Sequence, residues 1–154
     1  MKRRIYTDTS VIGGCLDDEF REPSQELFRR FASGEDVLVL SDLTLKELQL
    51  APIEVREVLT PVAPQNIEEV ELTERGRELA EEYIRAGVIG SSKRVDAQHI
   101  ATATVHRVDV LVSWNFKHIV NLDRIQGYNS VNLRSGYPLL EIRTPQEVLS
   151  YGEE

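Results

Sequence analysis

The chain has one cysteine, Cys15, among its 154 residues. An internal disulfide is therefore excluded, and a lone Cys with no Cys or His at ligand spacing does not make a zinc site. A reducing, cytoplasmic setting is expected. No apolar run approaches the roughly 20 residues that a membrane helix needs. The opening Met1-Lys2-Arg3-Arg4 leads into only a short apolar strand, so no secretion signal is expected either. Linker-like Pro/Gly/Ser stretches, internal repeats and low-complexity segments are also missing. One compact domain over residues 1–154 follows from that and from the length. Basic residues are the scarcer charge, 18 Lys and Arg against 26 Asp and Glu, for a net charge of −8. Such a balance speaks against a nucleic-acid partner, which usually meets a basic surface. The excess is local, however. Residues 65–82 hold seven Glu against Arg75 and Arg77, a net −5, which leaves −3 for everything else. That stretch reads as a solvated helix face.

What is present is ordinary globular composition, 41 % hydrophobic and 29 % charged, arranged in alternating strand and helix patterns. Arg4-Ile5-Tyr6-Thr7 is a short β-prone run ending on Asp8-Thr9-Ser10, and Val37 to Leu40 is a continuous apolar strand ending on Ser41-Asp42. Both stop in residues that cap helices. Further strands are expected near Val70-Glu71-Leu72, at Val108 to Val112 and at Leu139 to Ile142. Helical patterns lie between them: Leu27, Phe28 and Phe31; Leu43, Leu45, Leu48 and Leu50, ended by Pro52; and Leu79, Ala80, Tyr83 and Ile84, closed by Gly87. The segment Ser92 to Arg107 reads as a long, largely buried helix, and Thr144-Pro145-Gln146-Glu147 is a capping box with Pro at the first helical position. Uninterrupted apolar strands joined by helical crossovers predict an α/β fold, a three-layer α/β/α sandwich around a mainly parallel sheet of about five strands.

In such a sheet ligands bind at the carboxyl ends of the strands. Asp8 follows the first strand directly, and Asn115 follows the fourth by way of Ser113 and Trp114. Glu47 lies in the helix after the second strand, and Asp96 in the first turn of the long helix before the fourth. These four side chains are the ones expected to converge. Carboxylate and amide oxygens suit Mg²⁺ or Mn²⁺, which keep waters for a phosphate to displace. Such an ion lowers the pKa of a bound water and polarises a phosphoryl oxygen, so phosphodiester hydrolysis is the natural chemistry. Taken singly each residue has a plainer role. Asp8 can cap a helix, Glu47 beside Lys46 can be an exposed helical acid, and Asp96 can merely face the helix dipole.

Their order along the chain resembles the PIN domains, and especially the VapC-type toxins of bacterial and archaeal toxin–antitoxin pairs. The resemblance spans nearly the whole chain. It is carried by Ile5-Tyr6-Thr7-Asp8-Thr9-Ser10-Val11-Ile12, by Leu43-Thr44-Leu45-Lys46-Glu47-Leu48, by Val95-Asp96-Ala97-Gln98-His99-Ile100-Ala101-Thr102-Ala103, and by Val110-Leu111-Val112-Ser113-Trp114-Asn115. It implies that Asp8, Glu47 and Asp96 bind metal and act in catalysis, that Ser10 and Ser113 support the site, and that the reaction is metal-dependent endoribonucleolysis. It further implies a homodimer and an antitoxin partner. One departure stands out: Asn115 occupies the place where the family more often has a fourth Asp, and it brings oxygen without charge.

Lys46, Lys93, Arg94 and Lys117 stand beside the proposed acids and are the candidate contacts to RNA phosphates. Trp114 can stack on an unpaired base or pack on the sheet edge. His99 falls three residues after Asp96 and reads as a neutral core or boundary histidine; His118 is the better candidate for a substrate contact. Two other functions compete. One is a PIN-like RNA- or protein-binding module that has lost catalysis with the fourth acid. The other is a small-molecule phosphohydrolase, whose Asp-x-Asp pair is absent because Thr9 and Ser10 follow Asp8.

Overall fold

The computed structural model describes residues 2–150. Five strands, β1 (Arg4–Thr7), β2 (Val37–Ser41), β3 (Ile67–Val70), β4 (Val110–Val112) and β5 (Ile142–Arg143), form one sheet in the order β3-β2-β1-β4-β5. Every pair is parallel: Ile5 lies opposite Leu38 on one side and Val110 on the other. Eight α-helices lie among the described residues: α1 (Thr9–Gly14), α2 (Arg21–Ser33), α3 (Asp42–Gln49), α4 (Ile53–Arg56), α5 (Glu74–Arg85), α6 (Arg94–Val105), α7 (Leu122–Arg134) and α8 (Pro145–Ser150). None of them is long and apolar enough to cross a membrane.

The strands are apolar on consecutive positions because both faces of the sheet are covered. Tyr6, Val39 and Leu111 point into one layer, packed with Leu79, Ile100 and Tyr128 of α5, α6 and α7. Their neighbours Ile5, Leu38, Val110 and Val112 point into the other, against Val11, Leu27 and Phe31 of α1 and α2. Small residues give α6 its place in the first layer: Ala97, Ala101 and Ala103 are fully buried. Helix α5 ends where the sequence places it, because Gly87 takes a positive φ of 76° that lets its own amide reach Ile84 O and the next amide reach Tyr83 O. The capping box before α8 also forms, with Thr144 N–H donating to Glu147 Oε1 and Glu147 N–H to Thr144 Oγ1.

Three strand boundaries shift, the fourth strand shrinking from Val108–Val112 to Val110–Val112, and one helix was not expected. The third strand is Ile67–Val70 rather than Val70 to Leu72, because the Leu72 amide is drawn to Asp42 Oδ1 at 3.0 Å instead of a ladder partner. The fifth shortens to Ile142–Arg143, since the Leu140 amide is taken by Asn129 Oδ1. Helix α7 matches no expected element. Its Gly127, Asn129, Ser130 and Asn132 depress helix propensity, and it forms by packing Tyr128 and Val131 into the core.

Candidate metal centre

Asp8 stands at the N-cap position of α1, yet its side chain makes no capping hydrogen bond. The carboxylate turns inward instead. Ser10 Oγ–H donates to Oδ1 and Ser113 Oγ–H donates to Oδ2, each at 2.6 Å. Asp8 is only 6 % exposed, and no Lys or Arg pairs with it among the described residues. Burial pushes its pKa up, against the two hydroxyl donors that pull it down.

The neighbouring acids reach the same edge of the sheet from two helices. Asp96, in the first turn of α6, accepts a long hydrogen bond of 3.5 Å from Asn115 Nδ2. Asn115 is tied down on both sides, its amide donating to Ser113 Oγ at 2.9 Å and its Oδ1 accepting from the His118 amide at 3.0 Å. Ser113 thus links Asp8 to Asn115, and Asn115 links on to Asp96. Glu47, on α3, is held separately by His99 Nε2 at 2.7 Å. Burial, the largest single influence, would raise the Glu47 pKa, but the hydrogen bond and charge of His99 together with the Thr9 hydroxyl outweigh it and hold the carboxyl below its usual value.

The structure therefore joins Asp8, Asp96, Asn115, Ser10 and Ser113 in one hydrogen-bonded chain, and it gives Glu47 a partner that sequence reasoning left in the core. His99 was findable only as a polar residue at helical spacing from Asp96, a signal shared by many buried histidines. Among the described residues no three His, Cys, Asp or Glu side chains stand close enough to hold one ion as a group. The donor chemistry nonetheless fits a hard divalent cation, because Mg²⁺ is commonly bound through one or two carboxylates with water filling the remaining positions. A buried oxygen points the same way. Thr9 Oγ1 lies beside Glu47 and contributes to lowering its pKa, but it is out of solvent with no partner of good hydrogen-bond geometry.

The basic residues divide. Lys46, Lys93 and Lys117 are exposed, and Lys93 and Lys117 act on His118 together with Asp96 and Arg124. Arg94 instead pairs with Glu81 at 2.6 Å, so its guanidinium is already engaged. Arg124, on the unexpected helix α7, is the third cation that acts on His118, and its Nη1 donates to the Val88 carbonyl. Burial lowers the His118 pKa, and Lys93, Arg124 and Lys117 add to that against Asp96. Trp114 anchors an aromatic cluster next to Asn115. It stacks on Phe20 at 4.3 Å and donates from Nε1 to Ser24 Oγ. Gly14 makes this approach possible, since a Cβ there would lie 2.9 Å from Trp114 Nε1. Phe20, Trp114 and Phe116 wall a cleft of about 680 Å³, in which Phe116 is half exposed.

No family model and no curated protein matches the sequence. The fold does match solved structures. The chain is similar to VapBC2 from Rickettsia felis, crystallised bound to a DNA fragment from their promoter, with a TM-score of 0.58 at 12 % identity over 92 % of this chain and 98 % of that one. It is equally similar to FitAcB from Neisseria gonorrhoeae, with a TM-score of 0.58 at 16 % identity and the same coverage. The likeness is one of fold: the chain has a PIN-like α/β/α sandwich of the kind seen in these VapBC2 and FitAcB structures.

Proposed function

We propose that this protein is a divalent-metal-dependent endoribonuclease that hydrolyses RNA phosphodiester bonds as the toxin of a toxin–antitoxin pair. The observation that supports this most is the Asp8 carboxylate. It is buried at the carboxyl edge of the central strand, and among the described residues its side chain is bonded to the hydroxyls of Ser10 and Ser113 with no Lys or Arg paired to it. Burying an acid in that way is costly unless a cation or a proton joins it. Asp8 and Asp96 are the residues proposed to hold Mg²⁺ or Mn²⁺, with Glu47 reaching the ion directly or through water. When bound, such an ion supplies a nucleophilic water and stabilises charge on the phosphoryl oxygens.

The chain's own side chains have distinct tasks in this reading. Ser10 and Ser113 fix both oxygens of Asp8, Asn115 orients Asp96, and Lys93, Lys117 and Arg124 draw in the phosphates that the acids would repel. Trp114 already has Phe20 on its ring, which leaves Phe116 as the exposed aromatic for an unpaired base. RNA cleavage assayed with Mn²⁺ or Mg²⁺, with chelator, and with Asp8→Asn tests the proposal. Metal-dependent cleavage that vanishes in the variant is expected, and cleavage indifferent to both overturns it.

An antitoxin partner is proposed from the likeness to the VapBC2 complex, and it would compete with the metal by placing an arginine against Asp8 and Asp96, since a guanidinium pairs bidentately with carboxylate. Partner binding unaffected by substitution of both acids would exclude that mode. A homodimer is proposed likewise, to be checked by light scattering. A second reading, a binding module without catalysis, is favoured by one observation. Both polar atoms of the Asn115 amide are already engaged within the protein, by Asp96 and by the His118 amide.

A further inference from the structure

Glu47 is the most exposed of the three acids, its side chain 42 % accessible on the surface of α3. A free glutamate there would sample many rotamers, whereas an acid that works on a metal-bound water must be held in place. The partner that holds it is buried: His99 is 2 % exposed. Both of its ring nitrogens are engaged, Nε2 with Glu47 Oε1 at 2.7 Å and Nδ1 with Tyr6 Oη at 2.6 Å. Tyr6 Oη in turn meets Ser41 Oγ at 2.7 Å, and Ser41 Oγ accepts the Thr44 amide at 3.2 Å as the cap of α3. Four elements, β1, β2, α3 and α6, meet in this chain.

The direction of the chain follows from counting donors. The Thr44 amide can only donate, so Ser41 Oγ accepts there and is free to send its own proton to its nearest acceptor, Tyr6 Oη. At the other end a carboxylate can only accept, so His99 Nε2 carries the proton. In a neutral imidazole Nδ1 is then an acceptor, and Tyr6 is the donor facing it. Burial raises the Tyr6 pKa, which keeps that proton in place. Each donor therefore has an acceptor, with no hydroxyl left over.

We infer that His99 is the positioning residue of Glu47: hydrogen bonds running one way from the Thr44 amide through Ser41 and Tyr6 lock its imidazole as the Nε2–H tautomer, a rigid donor to the carboxylate. The inference deepens the reading of Glu47 as a site acid and rests on it. A histidine that merely fills the core would also be satisfied on both nitrogens, but it would have no effect on the ordering of a surface glutamate. Helix α6 then serves both acids, presenting Asp96 itself and, one turn on, the group that holds Glu47.

The test begins with the full chain, uniformly ¹⁵N-labelled and free of metal. Long-range imidazole ¹⁵N spectra, assigned against His99→Gln, are expected to show His99 as the Nε2–H tautomer, and the Nδ1–H form overturns the inference. Glu47 side-chain couplings are expected to report one dominant rotamer in the parent and averaging in His99→Leu. Mn²⁺ affinity should weaken about tenfold in His99→Leu, as for other groups that orient ligands, and recover to within about threefold of the parent in His99→Gln, which restores an N–H donor. A folded His99→Leu protein with Glu47 still ordered and Mn²⁺ bound as before overturns the inference. If that variant does not fold, Tyr6→Phe decides. It keeps the ring and removes the donor to Nδ1, so a mixture of tautomers is expected, and an unchanged single tautomer overturns the inference. Should the parent prove unable to cleave RNA, the nuclease reading falls while the tautomer and the rotamer still decide the positioning.

Discussion

Two buried aspartates stand at opposite ends of the same parallel strands, and they are treated in opposite ways. Asp36, just before β2, is 2 % exposed. Arg3 and Arg30 bind it, with Arg30 Nε at 2.8 Å and Arg3 at 3.1 and 3.2 Å. Burial would raise its pKa, but the two guanidinium groups outweigh that and hold it below the usual carboxylate value. Asp8, just after β1, meets two neutral hydroxyls, and burial wins. The same contrast extends to their neighbours. At the amino end Arg4 closes on Glu68 and its amide donates to Asp109 at 2.7 Å; at the carboxyl end Asp96 has, among the described residues, the side-chain amide of Asn115. One end of the sheet is neutralised within the chain. The other keeps an uncompensated negative charge, the condition for binding a cation from outside.

The sharpest way to break this contrast is Asp8→Asn. RNA cleavage is expected to fall about 100-fold or more, since losing even an orienting neighbour of a metal site costs 10- to 100-fold. The melting temperature should hold or rise, because a buried charge has been removed. A lower melting temperature with cleavage retained would reverse the assignment of the two ends.

Asp36→Ala is the counterpart and should do the reverse. Breaking a buried ion pair from one side costs about 3 kcal/mol, to be read from urea denaturation, and cleavage per folded molecule should stay near the parent value. Little loss of stability would mean that Arg3 and Arg30 are as well off in water.

The pH dependence of stability separates the two ends by sign. The pKa of Asp36 is depressed in the fold, so its contribution is present above the unfolded value of about 3.9 and is lost as pH falls through the folded value. The pKa of Asp8 is raised, so its contribution is full below about 3.9 and is lost as pH rises through the folded value. Denaturation across a pH series should therefore show Asp36→Asn weakest relative to the parent above about pH 4, with the gap closing on acidification. Asp8→Asn should match the parent near pH 4 and exceed it at higher pH.

The smallest effect is expected at Asn115→Asp. The variant replaces an N–H donor with an oxygen facing Asp96 across 3.5 Å, so without metal it should melt at a lower temperature. With metal the added charge is attractive, and a net gain on the order of 1 kcal/mol would tighten Mn²⁺ binding several-fold. Calorimetric titration of both proteins reads this directly, and equal or weaker binding would place Asn115 away from the ion.

Much of this was legible from the chain. Strand β1 running into Asp8-Thr9-Ser10 is local pattern, and so is the helix that carries Glu47. Asp96 opens an alanine-rich helix whose burial follows from side-chain size. The grouping of Arg3 with Asp36 and Arg30 was not legible, because it joins residues far apart in sequence and charged residues near strand ends look alike. Helix α7, with Arg124, escaped notice because its propensity is poor and its packing partners are distant. The pairing of Arg94 with Glu81 removed a basic residue that the sequence placed beside the site.

The sequence by itself determined the alternation of strand and helix and the elements on which Asp8, Glu47 and Asp96 would sit, because hydrophobic period and capping residues are properties of short windows. Tertiary structure alone decided what each acid faces. Asp8 caps no helix although it occupies the capping position, and it is drawn inward by Ser113, just past β4 and 105 residues further along the chain. His99 becomes the partner of Glu47 only because the fold brings α6 against Tyr6 of β1 and Glu47 of α3. Charge and hydrogen-bond partners depend on distance in space, and residue order fixes that distance only after the chain has closed its loops and buried its core.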